Sequence, residues 1–198
     1  MANVKLTKNE LKKQRDALKR FQRYLPTLNL KKQQLQMVIR QVEAKEREKR
    51  REQEFVQENI RSWIAVFGEE FPLADLVSIE KVETDTGNIA GVDIPIFKDI
   101  SFHAVEYDLF STPLWIDTAV ERLKAIIALD EEVKILQRQV ELLSQELRTT
   151  SQRVNLFEKV KIPETKENIR VIGIYLGDQQ TAAVVRGKIA KNKLVKEA

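Results

Sequence analysis

The pattern that most restricts this chain is a seven-residue repeat of apolar side chains, carried on two stretches nearly free of helix breakers. Leu11, Leu18 and Leu25 form one series, and Phe21, Leu28, Leu35 and Val42 form a second, offset by three. Together they are the a and d positions of a heptad seam. Between Leu11 and Val42 only Gln14 and Lys32 interrupt it, and after a charged stretch it resumes in phase with Val56, Ile60, Trp63 and Phe67. The second stretch has the same grammar: Ile126, Leu129, Val133, Leu136, Val140, Leu143, Leu147, Thr150, Val154 and Phe157 alternate spacings of three and four, with Thr150 the polar member. A strict 3.5-residue repeat implies a left-handed supercoil, because an untwisted helix drifts off such a seam by about 20° per heptad.

Breakers mark where the stretches end. Glycines at 68, 87 and 91 and prolines at 72, 95 and 113 crowd the middle, whereas residues 1–67 hold only Pro26 and residues 114–172 only Pro163. The reading is one elongated domain with an N-terminal coiled-coil helix over 1–67, a β-hairpin and connecting region over 68–114, and a C-terminal coiled-coil helix with a basic tail over 115–198. Residues 4–67 would form a helix of about 95 Å at ~1.5 Å per residue, and 115–176 one of similar length. Matched arms joined by the middle segment predict a mainly α fold: a long antiparallel, left-handed two-helix coiled coil with a short β-hairpin region at the end opposite the termini. Facing residue numbers then total about 182, which sets Lys32 opposite Thr150. Pro26 is expected to kink its helix without ending it. Around and beyond Pro163 the apolar residues Ile162, Ile169, Ile172 and Leu176 fall out of phase with Val154 and Phe157, which predicts a stutter and a local change of supercoil.

In the middle, LVSIEKVE and IAGVDIPIF carry alternating or β-branched apolar residues and are separated by TDTGN, so the turn is predicted at 84–88. A third extended piece, ISFHAVEY at 100–107, follows before Ser111-Thr112-Pro113 starts the second helix.

Composition removes most chemistry. The 198 residues include no cysteine and one histidine, His103, which leaves no thiolate site, no disulfide and no histidine cluster. No GxxxxGK[ST] loop is present to cradle phosphate. His103 has no recognisable nucleophile or oxyanion donor beside it and reads as a strand-surface residue. The pairs Glu69-Glu70 and Glu131-Glu132 read as solvated helix-end charges. No catalytic residue, metal site or cofactor is expected. The N-terminus lacks the layout of a secretory signal, and no apolar run approaches 18 residues, so a cytoplasmic protein without a membrane span is expected.

Charge is strongly polarised. Residues 1–25 carry +6, 26–67 +3, 68–114 −8, 115–180 −1 and 181–198 +4. The run from Glu43 to Glu54 interleaves acids and bases, which suits a single helix with i,i+4 pairs better than a phosphate-tracking patch. Its predicted partners Leu129, Val133 and Leu136 are apolar, so a second polypeptide covering them is the sharper alternative to a solvated helix. The tail holding Arg186, Lys188, Lys191, Lys193 and Lys196 reads as frayed and solvated, with insertion into an acidic cavity as the functional rival.

Two terminal coiled-coil arms, a central hairpin, KLTKNEL near the start and TSQRVNLFEKVKIPETKENIR in the second arm together resemble the D subunit of the rotary V/A-type ATPases. The most specific part is Thr150-Ser151-Gln152-Arg153-Val154-Asn155, followed by Glu158 and Ile162-Pro163. The resemblance implies a non-catalytic central-stalk rotor that transmits rotation between a hexamer of catalytic A and B subunits and the membrane ion-translocating ring. It would sit peripheral to the membrane through that complex. By the same resemblance, Lys5, Lys8, Lys12, Lys13, Gln152, Arg153, Arg186, Lys188 and Lys191 would face the catalytic hexamer. Leu129, Val133 and Leu136 would meet the small F subunit, and Glu80, Glu83 and Asp85 the membrane-side socket subunit. No nucleic acid and no direct membrane insertion are implied. The alternatives are a prefoldin-like coiled-coil chaperone, which also joins helical arms by β-hairpins, and a generic coiled-coil scaffold.

Overall fold

A computed structural model describes residues 4–64, 76–103 and 115–197. Phe67, the side chain of Trp63, the Glu69-Glu70 pair, residues 104–107 of the third extended piece and Ser111-Thr112-Pro113 lie outside the described residues. The elements are α1 (Lys8–Ile64), β1 (Ile79–Ile89), β2 (Val92–Phe102), α2 (Ile116–Leu156), a π-helical turn (Phe157–Lys161) and α3 (Ile162–Glu197). The fold is mainly α, and the described residues include one two-stranded antiparallel hairpin. Contacts divide the chain into two units, one of residues 1–32 and 149–198 and one of residues 33–148.

Helix α1 starts at Lys8 and not at residue 4, because Thr7 caps it: the Glu10 N–H donates to Thr7 Oγ1 at 3.3 Å and the Leu11 N–H to the Thr7 carbonyl at 3.0 Å. It continues through Pro26.

In the first unit the seam buries Thr150, Val154, Thr165 and Ile172, with the rings of Phe21 and Phe157 packed at 5.1 Å between centroids. That aromatic pair lies within one helical turn of the predicted register. The phase change near Pro163 is carried by the π turn. Continuing the three-four spacing from Val154 and Phe157 leads to 161, 164, 168, 171 and 175, whereas the sequestered positions are Ile162, Thr165, Ile169, Ile172 and Leu176, each one residue late. A π turn holds one residue more than an α turn locally, so it realigns the later residues with the seam. The Ile162 N–H reaches the Phe157 carbonyl, five residues back. Pro163 has no N–H to continue the ladder, and Thr165 Oγ1 donates to the Lys161 carbonyl. Helicity persists through residue 197, correcting the frayed-tail expectation, although every described side chain from Gly177 to Lys193 is exposed.

In the second unit, the hairpin turn is not TDTGN. The central turn residues are Ala90 and Gly91, both at positive φ (53° and 79°), the pair of left-handed residues that a tight hairpin turn of the favoured hand requires. Asn88 secures it: its Oδ1 accepts from the Gly91 N–H at 3.1 Å and its Nδ2 donates to Asp93 at 2.6 Å. TDTGN lies inside β1, where Gly87 opposes Ile94. Of the third extended piece, Ile100, Ser101 and Phe102 are the end of β2 and pair back onto β1.

Two clusters seat the hairpin on the helices of this unit. At its base, Val77 and Phe102 pack with Ile116, Val120 and Leu123. At its tip, Ile94, 3% exposed, joins Leu35, Ile39 and Val42 of α1 and Leu136 and Leu143 of α2, with Ile89, Ala90 and Val92 around it.

Candidate partner-binding surfaces

The charged run on α1 interrupts the apolar seam, so the question is what joins the helices there. Polar contacts do. Gln137 Nε2 donates to Glu46 Oε1 at 3.1 Å, Lys49 Nζ lies 3.3 Å from Glu132, and Gln53 Nε2 donates to Asp130 at 3.3 Å. Numbers rise on α1 as they fall on α2, so the pair is antiparallel, within about a residue of the predicted register. Glu132 therefore bridges two helices in the middle of α2, which corrects its reading as a solvated helix-end charge. The hydrogen bond from Gln137 holds the Glu46 carboxyl below its usual range, and the bond to Glu52, then the charge of Glu132, raises Lys49. Lys134 is chiefly responsible for lowering Asp130.

The apolar residues opposite the run are covered by the chain itself. Val133 is 5% exposed and Leu136 9%, the latter in the cluster that receives Ile94, while Leu129 is half-buried. Burial removes the reason for assigning Val133 to a second polypeptide, whereas Leu136, though buried, still lines an open groove. What the unit does offer is a groove of about 960 Å³, walled by Val38, Lys45 and Lys49 of α1, Ile96 and Phe97 of β2 and Ile135 of α2. Sequence reading missed it because the hairpin's resting place has no local signature.

The other candidate residues are placed as follows. Lys5 precedes α1 and Lys8, Lys12 and Lys13 lie on it, Gln152 and Arg153 on α2, and Arg186, Lys188 and Lys191 on α3; all are exposed and all belong to the first unit. Glu80, Glu83 and Asp85 are exposed on β1. Glu83 pairs with Lys81 at 2.9 Å, and Asp85 accepts the Thr86 N–H at 2.9 Å and pairs with Lys98 at 3.2 Å. Both carboxyls are lowered, Glu83 chiefly by Lys81 and Asp85 chiefly by the Thr86 amide. His103 is an exposed residue just after β2 whose N–H donates to the Ser78 carbonyl at 3.0 Å. Among the described residues no three potential metal ligands cluster, and no helix is long and apolar enough to cross a membrane.

Against these surfaces stand the comparisons with known proteins. The family model for the ATP synthase D subunit matches residues 10–192. The V-type ATP synthase D subunit of Borreliella burgdorferi is 55% identical over 197 residues, covering 100% of this chain and 98% of that protein. The protein of the same name from Chlamydia pneumoniae is 36% identical, covering 96% and 93%, and that from Chlamydia caviae 34%, covering 98% and 94%.

Proposed function

This chain belongs to the ATP synthase D-subunit family, and from that premise we propose that it is the non-catalytic central-stalk axle of a V/A-type rotary ATPase, passing rotation between the catalytic A/B hexamer and the membrane ion-translocating ring. The observation that carries the reading is the far part of α3: from Gly177 to Lys193 every described side chain is exposed, yet Val184, Val185 and Ile189 are apolar and Arg186, Lys188, Lys191 and Lys193 basic. A basic helix that also carries apolar side chains, with no cover among the described residues, fits a polar or acidic socket in another subunit. Lys5, Lys8, Lys12, Lys13, Gln152 and Arg153 belong to the same hexamer-facing set. Glu80, Glu83 and Asp85 serve the membrane-side socket subunit. For the small F subunit, the seat is the groove beside β2, which Leu136 helps to line, whereas Leu129 and Val133 lie outside that lining. An axle needs no chemistry of its own; its coupling comes from contacting differently shaped catalytic sites unequally.

The test is addition of the purified chain to the catalytic A/B hexamer. The chain alone is expected to hydrolyse no ATP, and its addition to change hexamer turnover. Hydrolysis by the homogeneous chain that a substitution within it abolishes, or a hexamer indifferent to its addition, overturns the reading.

A further inference from the structure

The hairpin tip touches both helices of its unit where their apolar contact is about to fail. On α1 the seam ends at Val42 and gives way to the Glu43–Glu54 run, and Ile94 is inserted among Leu35, Ile39 and Val42 on that side and Leu136 and Leu143 on the other. Beyond the tip, Ile96 and Phe97 of β2 wall the groove whose opposite side includes Lys45 and Lys49. The hairpin thus spans the transition from apolar to polar pairing.

One polar contact sits inside this apolar seat. Gln139, 6% exposed, donates its side-chain amide to the carbonyl of Pro95. The match is chemically specific. Pro95 is paired opposite Thr86, and its carbonyl points away from β1 toward α2. Being proline it offers no N–H on that edge, so a helix residue meeting it must donate. A half-buried carbonyl shielded by a helix and left without a donor is costly, and glutamine supplies one at the reach required.

We propose that the hairpin tip is a strap that clamps α1 to α2 beside the charged run, and that Gln139 is the pin that fixes where the strap lies. The strap offsets the missing apolar seam: while Ile94 is seated and Pro95 is held, the polar contacts at Glu46, Lys49 and Gln53 are kept in register by a third element. When the tip lifts, those contacts stand alone in water, where exposed ion pairs and hydrogen bonds hold helices weakly. The strap acts in this way whether or not the chain serves as a rotor.

Hydrogen exchange on the full chain, with protection corrected for intrinsic rates, tests it through Gln139→Glu. The isosteric carboxylate cannot donate to Pro95 at about pH 8 but can when protonated at about pH 5, and burial favours the protonated form. The expected result is a loss of protection of about tenfold, both at 92–97 of the tip and at 43–54 of α1, at the higher pH, with recovery at the lower. The unsubstituted chain should show no such switch. Ile94→Val, which keeps the hydrogen bond and thins the packing, should loosen the same two segments to a smaller degree and keeps the proposal testable if the carboxylate variant unfolds. Loosening of the tip with α1 43–54 unchanged makes the hairpin a passenger and overturns the strap. Unchanged protection in both segments overturns the role of Gln139 as well.

Discussion

Ile96 lies across Gly87: a methyl group built on Gly87 would stand 2.6 Å from Ile96 Cδ1. The glycine is therefore kept by a neighbour and not by a turn. Gly87→Ala should destabilise the chain by about 1 kcal/mol, the usual scale of overpacking when a flexible side-chain end can partly yield. In an Ile96→Ala background the same change should become neutral or slightly stabilising, since alanine is better than glycine in a strand interior. A double-mutant cycle by denaturant unfolding measures this, and additive effects would disprove the contact's role.

The extra residue in the π turn can be removed. Deleting exposed Lys159 together with Pro163→Ala should leave a continuous α-helix with an unbroken heptad seam, its helical signal intact and its thermal midpoint unchanged or higher. Deleting Ser144 instead, where no extra residue exists, should throw Leu147, Thr150 and Val154 off the seam and lower the midpoint by several degrees. Equal losses from both deletions would mean the π turn absorbs nothing.

Acid should weaken the second unit in a defined window. A carboxyl held below its ordinary value stabilises the folded chain at neutral pH, and that contribution is lost as pH falls from about 4.5 through the lowered value. Glu46→Gln keeps a partner for Gln137 but cannot titrate, so its unfolding free energy should fall less steeply below that pH. Parallel acid limbs for the two proteins would remove Glu46 from the account.

Pairing in the first unit, read from Phe21 against Phe157 and the extra residue of the π turn, sets Gln14 near Thr165, so cysteines at those two seam positions should crosslink within one chain on this cysteine-free background. Sizing under denaturing, non-reducing conditions reads the result. Crosslinks formed between chains would instead favour a parallel oligomer.

Helix pairing was legible because a heptad repeat states period and partner together: Leu35, Val42, Leu136 and Leu143 were placed on the seam by spacing alone and are buried. The turn was misplaced because TDTGN has turn composition, whereas the decisive property, two successive residues at positive φ, falls on Ala90-Gly91, and alanine does not advertise it. The one-residue slip past Phe157 was visible as a phase change, but periodicity alone does not distinguish a stutter from a π turn; that depends on where Pro163 removes a donor. Nothing local in Ile94, Pro95 or Gln139 announces that a strand tip will lie between helices, since docking of this kind is decided by residues far apart in sequence.

A two-stranded sheet has two open borders, each a ready template for strands of other molecules, and most sheets deal with that by adding strands or cover. Here both borders are interrupted at the same rung of the ladder, where Thr86 faces Pro95: on β1 the Thr86 N–H is already taken by the neighbouring Asp85 carboxylate, and on β2 proline has nothing to donate while Gln139 occupies the carbonyl. Such an interruption divides each border into shorter runs, which makes the hairpin a poorer template for intermolecular β-stacks than an unbroken edge of the same length. Replacing Asp85 or Pro95 therefore puts colloidal stability at risk before it touches any partner.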